Sequence, residues 1–264
     1  MMDKNMTLKQ LVQVASRRLW KGLAYEKTAC ANAWQFVGIV GENTLVAEIS
    51  VLTIDKYMDE MEGTVSDATM NRKLANISSI LKYAHERELL AKKPKMPFSK
   101  ESAGRIRWVT PEEETKMLEL LEAWGELEVR RFVIVLLETG MRRGELLNLQ
   151  AKDIDGPWIR LWVNKTDKAR SVPLSVRAEQ ELAKGLFDLD KNKLRQVWGK
   201  LKAAMGLEGD DDFVLHTLRH TAATRTLSRT GNIAVVQKQL GHRKIETTMR
   251  YAHISDEELL AAVR

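Results

Sequence analysis

A single cysteine, Cys30, is all that the 264-residue chain carries. That excludes an intrachain disulfide and a cysteine-rich metal site, and leaves Cys30 the role of a small buried apolar side chain. Proline is scarce as well, with 5 in the chain and none after Pro173, so nothing of that kind interrupts helices in the last third. No apolar run approaches the ~20 residues that a membrane span needs. The start, MMDKNMTLKQ, lacks the apolar core of a secretory signal. There is no GxxxxGK loop for nucleoside phosphates, no HExxH pair, no carboxylate cluster suited to a metal, no internal repeat and no low-complexity segment. These absences predict a cytoplasmic protein that needs no metal, no other cofactor and no membrane; in a eukaryote the nucleus is equally open.

What the chain does have is positive charge, a net +6 with a pI of about 9.3. That permits nucleic-acid binding without showing it, so distribution matters more. Between Ala91 and Arg107 lie Lys92, Lys93, Lys95, Lys100, Arg105 and Arg107, opposed only by Glu101. Two readings stand side by side, a solvated linker or a strap that follows a phosphate backbone. Pro94 and Pro97 discourage helix there, and Ser99, Ser102 and Gly104 loosen the chain. The length suits two domains. The expected organisation is a helical domain over 1–98, a basic linker over 99–109 and a second domain over 110–264.

The first part reads as four helices. Thr7 with Gln10 forms a capping box ahead of Leu8, Leu11, Val12 and Leu19; a second helix covers roughly Tyr25 to Val40, and a third follows Thr53. The fourth shows Met70, Leu74, Ile77, Leu81 and Ala84 on one face at helical spacing. Arg72, Lys73, Lys82 and Arg87 fall largely off that stripe, where they serve either solubility or DNA contact. In the second part Thr110-Pro111 with Glu113 caps a helix. Phe132 to Leu137 is apolar all round and should be buried. Trp158 to Val163 alternates, and a polar turn from Asn164 to Ala169 leads into Arg170 to Leu174, a β-hairpin. Gly206, Gly231 and Gly241 sit where helices should stop. Ser255 and Glu258 cap a short tail helix carrying Leu259, Leu260 and Val263.

Several side chains match what phosphoryl transfer needs: fixed cations, a nucleophile and a general acid. Guanidinium forks suit two phosphate oxygens at once. Arg142 lies in TGMRRGELLNL, with Glu145 three residues on and able to hold its guanidinium. Lys165 sits on the hairpin turn in NKTDKARSVPL, with Lys168 as its rival. His216 and Arg219 share a helical face in HTLRHTAATRTL. His242 and Tyr251 lie in GHRKIETTMRYAH. His216 and His220 at i, i+4 can in principle bind zinc, but nothing nearby completes a ligand set, so His220 reads as a packed or hydrogen-bonded helix residue.

Taken in order, these boxes resemble the catalytic domain of tyrosine recombinases and phage integrases, over roughly Thr110 to Val263. TMNRKLANISSILKYAHERELL resembles the last long helix of the family's core-binding domain. The resemblance implies a mainly α fold with a small antiparallel β-sheet in the catalytic domain, arranged as a two-domain DNA clamp. It implies that Tyr251 attacks the scissile phosphate and forms a 3′-phosphotyrosine, that Arg142 and Arg219 clamp the nonbridging oxygens, and that Lys165 is the general acid. His216 would act as proton acceptor or phosphate ligand, His242 would hydrogen-bond the phosphate, and Glu145 would support Arg142. Arg143 is passed over because the family's arginine stands two residues after the glycine. Expected DNA-binding residues are Arg72, Lys73, Lys82, Lys92, Lys93, Lys95, Arg105 and Arg107. The implied partners are double-stranded DNA at core recombination sites and a homotetramer on synapsed DNA. The free protein is expected as a monomer or weak oligomer associated with the nucleoid, and an accessory DNA-bending or directionality protein fits the same picture. Phage or mobile-element integration is the first expectation. Chromosome-dimer resolution is the second, and type IB topoisomerase-like nicking and closing the third. A DNA-binding regulator on this fold would lack Tyr251 or Arg142. Because core-binding-like helices begin almost at Met1, an arm-binding domain is expected to be absent or very short.

Overall fold

The computed structural model describes residues 5–100, 106–162 and 169–252. The chain splits into two compact units, Met1–Ser102 and Ala103–Arg264.

The first unit is helical: α1 (Leu8–Leu19), α2 (Glu26–Val40), α3 (Val51–Met61) and α4 (Asp67–His85). Thr7 and Gln10 form the expected capping box of α1. The third helix starts at Val51, ahead of Thr53 and not after it. Ser50 occupies the N-cap position and Thr53 is the third helical residue, its hydroxyl accepting the Ser50 N–H. Helices α1, α2 and α4 pack on one another and α3 on α2. All five residues of the α4 stripe are buried, with Leu74, Leu81 and Ala84 at 0% exposure. The chain after α4 stays with this unit. Leu89, Leu90 and Met96 join its core, and the Asn71 side chain both accepts from Ser99 N (3.0 Å) and donates to Ser99 O (2.9 Å).

The second unit is also mainly helical, and carries the expected small antiparallel sheet. Its elements are α5 (Pro111–Ala123), α6 (Leu127–Thr139), α7 (Arg143–Leu147), β1 (Ile154–Asp155), β2 (Trp158–Leu161), β3 (Arg170–Pro173), α8 (Val176–Ala183), α9 (Lys191–Met205), α10 (Leu215–Thr230), α11 (Ile233–Leu240) and α12 (Glu246–Met249). Helix α6 packs against α5, α8 and α10, and every residue from Phe132 to Leu137 is buried. That burial on all sides is why the run shows no polar face. The hairpin pairs Ile159 with Val172, both fully buried. β2 and β3 are each four residues, shorter than the alternating runs. β1 adds an edge strand of two residues, too short for any periodicity to announce it. Gly206, Gly231 and Gly241 each close a helix in the left-handed conformation, as their positions suggested.

Candidate active site

The site is built where α6, α10, α11 and β3 converge. Helix α6 ends at Gly140, whose φ of 66° is one that L side chains rarely adopt. A Cβ there would stand 3.0 Å from Leu240 Cδ2 and 3.1 Å from the Ala222 Cβ. The glycine therefore lets α10 and α11 close on the end of α6. Two residues later Arg142 is the N-cap of α7 and Glu145 its third residue. The Glu145 carboxylate accepts from Arg142 N at 2.7 Å and from Arg142 Nη1 at 2.8 Å. It also takes a two-pronged clasp from Arg170 on β3, Nη1 at 2.9 Å and Nη2 at 2.6 Å. Spacing alone points to the first pairing. Arg170 lies 25 residues away, and only the fold brings it in. Burial opposes ionisation of Glu145, yet the bonds and charge of Arg170, with the N–H and charge of Arg142, hold its carboxyl below the usual range.

Helix α10 supplies three more groups. Arg219 is 2% exposed and donates from Nη1 to Gly140 O (2.6 Å) and from Nη2 to Leu240 O (2.7 Å). Both acceptors are carbonyls at helix C-termini, which favour a cation. Burial, then the charges of Arg142 and Arg170, push its pKa down to about 10, so it stays charged at neutral pH. His216 lies one turn before His220, their rings edge to face with centroids 4.8 Å apart. Tyr251, just after α12, is 7% exposed and packs among Ala223, Val236 and Leu240. Its hydroxyl is 2.7 Å from His220 Nδ1. Burial pushes the phenol up, while Arg219 and Arg250 pull against that rise. His242 meets Thr248 Oγ1 through Nδ1 at 2.9 Å.

The three histidines are held neutral. Burial is the leading cause in each, followed by nearby positive charge. For His216 that charge comes from Arg219, Arg142 and Arg250, and its pKa falls below the ordinary value. His220 is pushed down to about 4 by burial, His216, Arg250, Arg219 and His242. His242 is pushed down to about 4 by burial, Arg219, Arg142, Arg170 and His216. Such a pocket disfavours further positive charge and welcomes an anion. An open cleft of about 400 Å³ is lined in part by Arg142, Arg143, His216 and Arg219. Among the described residues no group of three or more His, Cys, Asp or Glu side chains is placed to hold a metal ion.

The fold thus brings Arg142, Glu145, His216, Arg219, His242 and Tyr251 into one region of the second unit. Lys165 and its rival Lys168 lie outside the described residues, as do Arg105 and the tail from residue 253 onward. Two arginine-and-histidine partners were not singled out from sequence. Arg170 carried no signal beyond its place in the hairpin. His220 read as a hydrogen-bonded helix residue, with nothing to show that its partner is Tyr251, 31 positions on.

The basic side chains divide. Arg72, Lys82, Lys92 and Lys95 are exposed and Lys93 is half-buried. Lys82 stands 3.7 Å from Glu86. Lys73 is half-buried and donates to Gln35 and, at 3.4 Å, to Asn32 Oδ1. Arg107 differs most from its expected role. Its guanidinium is clasped by Glu113, bonds Asp210 Oδ2 through Nε at 2.8 Å and lies over the Phe213 ring. The reason is local, since Glu113 is already placed by the capping box of α5. Arg107 thus fastens the entry of the second unit instead of reaching outward.

Comparison with known proteins adds four findings. The family model described as "Phage integrase family" matches residues 107–258. A tyrosine recombinase of Thermosipho africanus is 29% identical over 218 residues, covering 75% of this chain and 76% of that protein. The integrase of Escherichia phage P2 is 30% identical over 207 residues, covering 75% of this chain and 59% of its own length. Among solved structures, the Tn1549 transposon integrase in complex with a circular intermediate DNA superposes with a TM-score of 0.79 at 18% identity, covering 98% of both chains. At that identity the last likeness speaks for the fold.

Proposed function

The chain belongs to the phage integrase family of tyrosine recombinases, and from that premise we propose that it cuts and rejoins DNA at specific sites through a 3′-phosphotyrosyl intermediate on Tyr251. The observation that carries this reading is the placement of a buried tyrosine hydroxyl beside Arg219, Arg250 and neutral histidines, next to a cleft lined by Arg142, His216 and Arg219. In that cleft the scissile phosphate meets Arg142 and Arg219, whose charges offset the negative charge that grows on its equatorial oxygens. Glu145 keeps Arg142 in place. His216 opens on the same cleft and faces the phosphate as ligand or proton acceptor. If the Thr248 hydroxyl donates to Nδ1 of His242, Nε2 of that ring carries the proton and can donate to a nonbridging oxygen. Lys165 remains the proposed general acid for the leaving 5′ oxygen. The exchange of one phosphoester for another needs no ATP, and fixed guanidinium groups take the part that a metal ion plays in other phosphoryl transfers.

The partner is double-stranded DNA, with exposed Arg72, Lys82, Lys92 and Lys95 as backbone contacts. A tetramer on paired sites completes the proposal. Integration of a phage or mobile element is the first reading, in line with the phage P2 integrase among its relatives. Chromosome-dimer resolution uses the same chemistry on a different site.

The deciding experiment uses a nicked suicide substrate carrying the protein's own core site. A covalent adduct is expected on the 3′ side of the break, in excess EDTA as well as without it, and it is absent from Tyr251→Phe. An adduct in Tyr251→Phe, or cleavage that requires magnesium, overturns the proposal.

A further inference from the structure

The proposed chemistry leaves one question open at the nucleophile: where the phenol's proton goes. The family resemblance gives His216 the part of proton acceptor or phosphate ligand. In this structure the hydroxyl of Tyr251 is instead 2.7 Å from Nδ1 of His220, a residue to which neither the motif nor the comparison gives a part. We propose that His220 holds the Tyr251 hydroxyl in place and takes its proton as the phenol oxygen attacks the scissile phosphate. This rests on Tyr251 being the nucleophile.

Three features support it. First, the tyrosine ring is fixed by its apolar neighbours Ala223, Val236 and Leu240, and the polar end of a side chain so held meets the imidazole on α10. Second, the direction of the bond follows from protonation. A neutral imidazole accepts at one nitrogen only. If the phenol donates to Nδ1, Nε2 carries the ring's own proton. Third, His216 reaches this pair through ring-edge contact with His220, while itself lining the cleft. The two histidines thus divide the work, with His216 at the phosphate and His220 at the nucleophile.

In the DNA-free protein the proton stays on the tyrosine. The charged or titratable groups around His220 are His216 and Arg219 on its own helix, Arg250 and Tyr251 after α12, and His242 between α11 and α12; together with burial they keep the imidazole from protonating. A bound phosphodiester anion between Arg142 and Arg219 offsets that positive charge and makes imidazolium formation easier. The step then balances. The Tyr251 Oη–P bond forms and the P–O5′ bond breaks. The phenol proton passes to His220 Nδ1, and the 5′ oxygen leaves as a hydroxyl with a proton from the general acid. On rejoining, the imidazolium returns its proton to the departing phenol oxygen. DNA binding itself thereby switches on the base, and a free protein keeps its nucleophile protonated.

Single-turnover cleavage of the suicide substrate tests this with His220→Ala, His220→Asn and Tyr251→Phe in parallel. Core-site binding is measured for each. General-base removal typically lowers rates by about 10²–10⁴-fold. His220→Ala is expected to bind the core site within about twofold of the parent, to cleave about 10²-fold more slowly and to lose the acid limb of its pH–rate profile. Added imidazole should restore at least part of the rate. His220→Asn keeps an acceptor of similar reach but no usable base, so it should bind normally and remain slow. Cleavage by His220→Ala within about threefold of the parent, a full rate in His220→Asn, or a slow His220→Ala with an unchanged pH profile and no imidazole rescue each overturns the inference. An adduct in Tyr251→Phe would instead remove the nucleophile assignment on which it rests.

Discussion

Glu145→Gln is the substitution whose consequences the structure sets out most fully. The change keeps size and shape but removes the charge that Arg142 and Arg170 share. The Arg170 side chain is 7% exposed and that of Glu145 17%, so their two-pronged pair is buried. Removing one partner of such a pair costs roughly 3–5 kcal/mol, because the other charge stays buried without compensation. The amide oxygen of Gln still accepts one N–H, which places the expected loss near the low end, about 3 kcal/mol. Arg142 is 35% exposed, so its arm of the network adds at most about 0.5 kcal/mol. Urea unfolding followed by tryptophan fluorescence measures the sum, since five of the 7 tryptophans, Trp108, Trp124, Trp158, Trp162 and Trp198, lie in the second unit. A slope of roughly 1–3 kcal/mol per molar turns this into a midpoint lower by about 1–3 M. The pH dependence gives a second check. The folded carboxyl sits below its unfolded value, so its stabilisation is present above the ordinary carboxylate range and is lost as pH falls through the folded value. That acid-side loss should shrink in the variant. The variant's cleavage rate should fall too, with Arg142 no longer held. A midpoint within 0.3 M of the parent together with an unchanged acid limb would refute the argument that this carboxylate organises the arginine pair.

Other changes test other parts of the chain. Gly241→Ala puts a methyl 2.5 Å from Arg170 Cδ at a φ of +70°. Left-handed backbone costs an L-residue roughly 1–2 kcal/mol, and Arg170 cannot yield without loosening Glu145. A loss of about 2–4 kcal/mol in thermal or urea unfolding, with weakened cleavage, is expected; a neutral substitution would show that Arg170 moves freely. Neutralising Lys92, Lys93 and Lys95 should weaken binding to all DNA sequences alike and flatten the log-affinity against log-salt slope by about one unit per lost contact. An unchanged slope in gel-shift titrations would return these lysines to a solvated linker.

Much of this protein was legible in its sequence because the physics is local. Capping boxes at Thr7 and Thr110 act within four residues. The all-apolar run Phe132–Leu137 has no choice but burial, and glycine at Gly206, Gly231 and Gly241 meets a backbone demand that few other residues meet. The partnership of Arg142 with Glu145 also lies within one turn. The order of the motif boxes pointed to the family, which the match over residues 107–258 shows. The tertiary structure decided what depends on distant segments meeting. Arg170 reaches Glu145 across 25 positions and His220 reaches Tyr251 across 31, and no periodicity links either pair. Arg107 looked like one more cation of a basic stretch until Asp210, 103 positions away, was placed beside it. Charge in a sequence is only a count. Whether a cation faces DNA or a buried carboxylate is set by which neighbours the fold delivers, because desolvation and pairing act over a few ångströms of space and not along the chain.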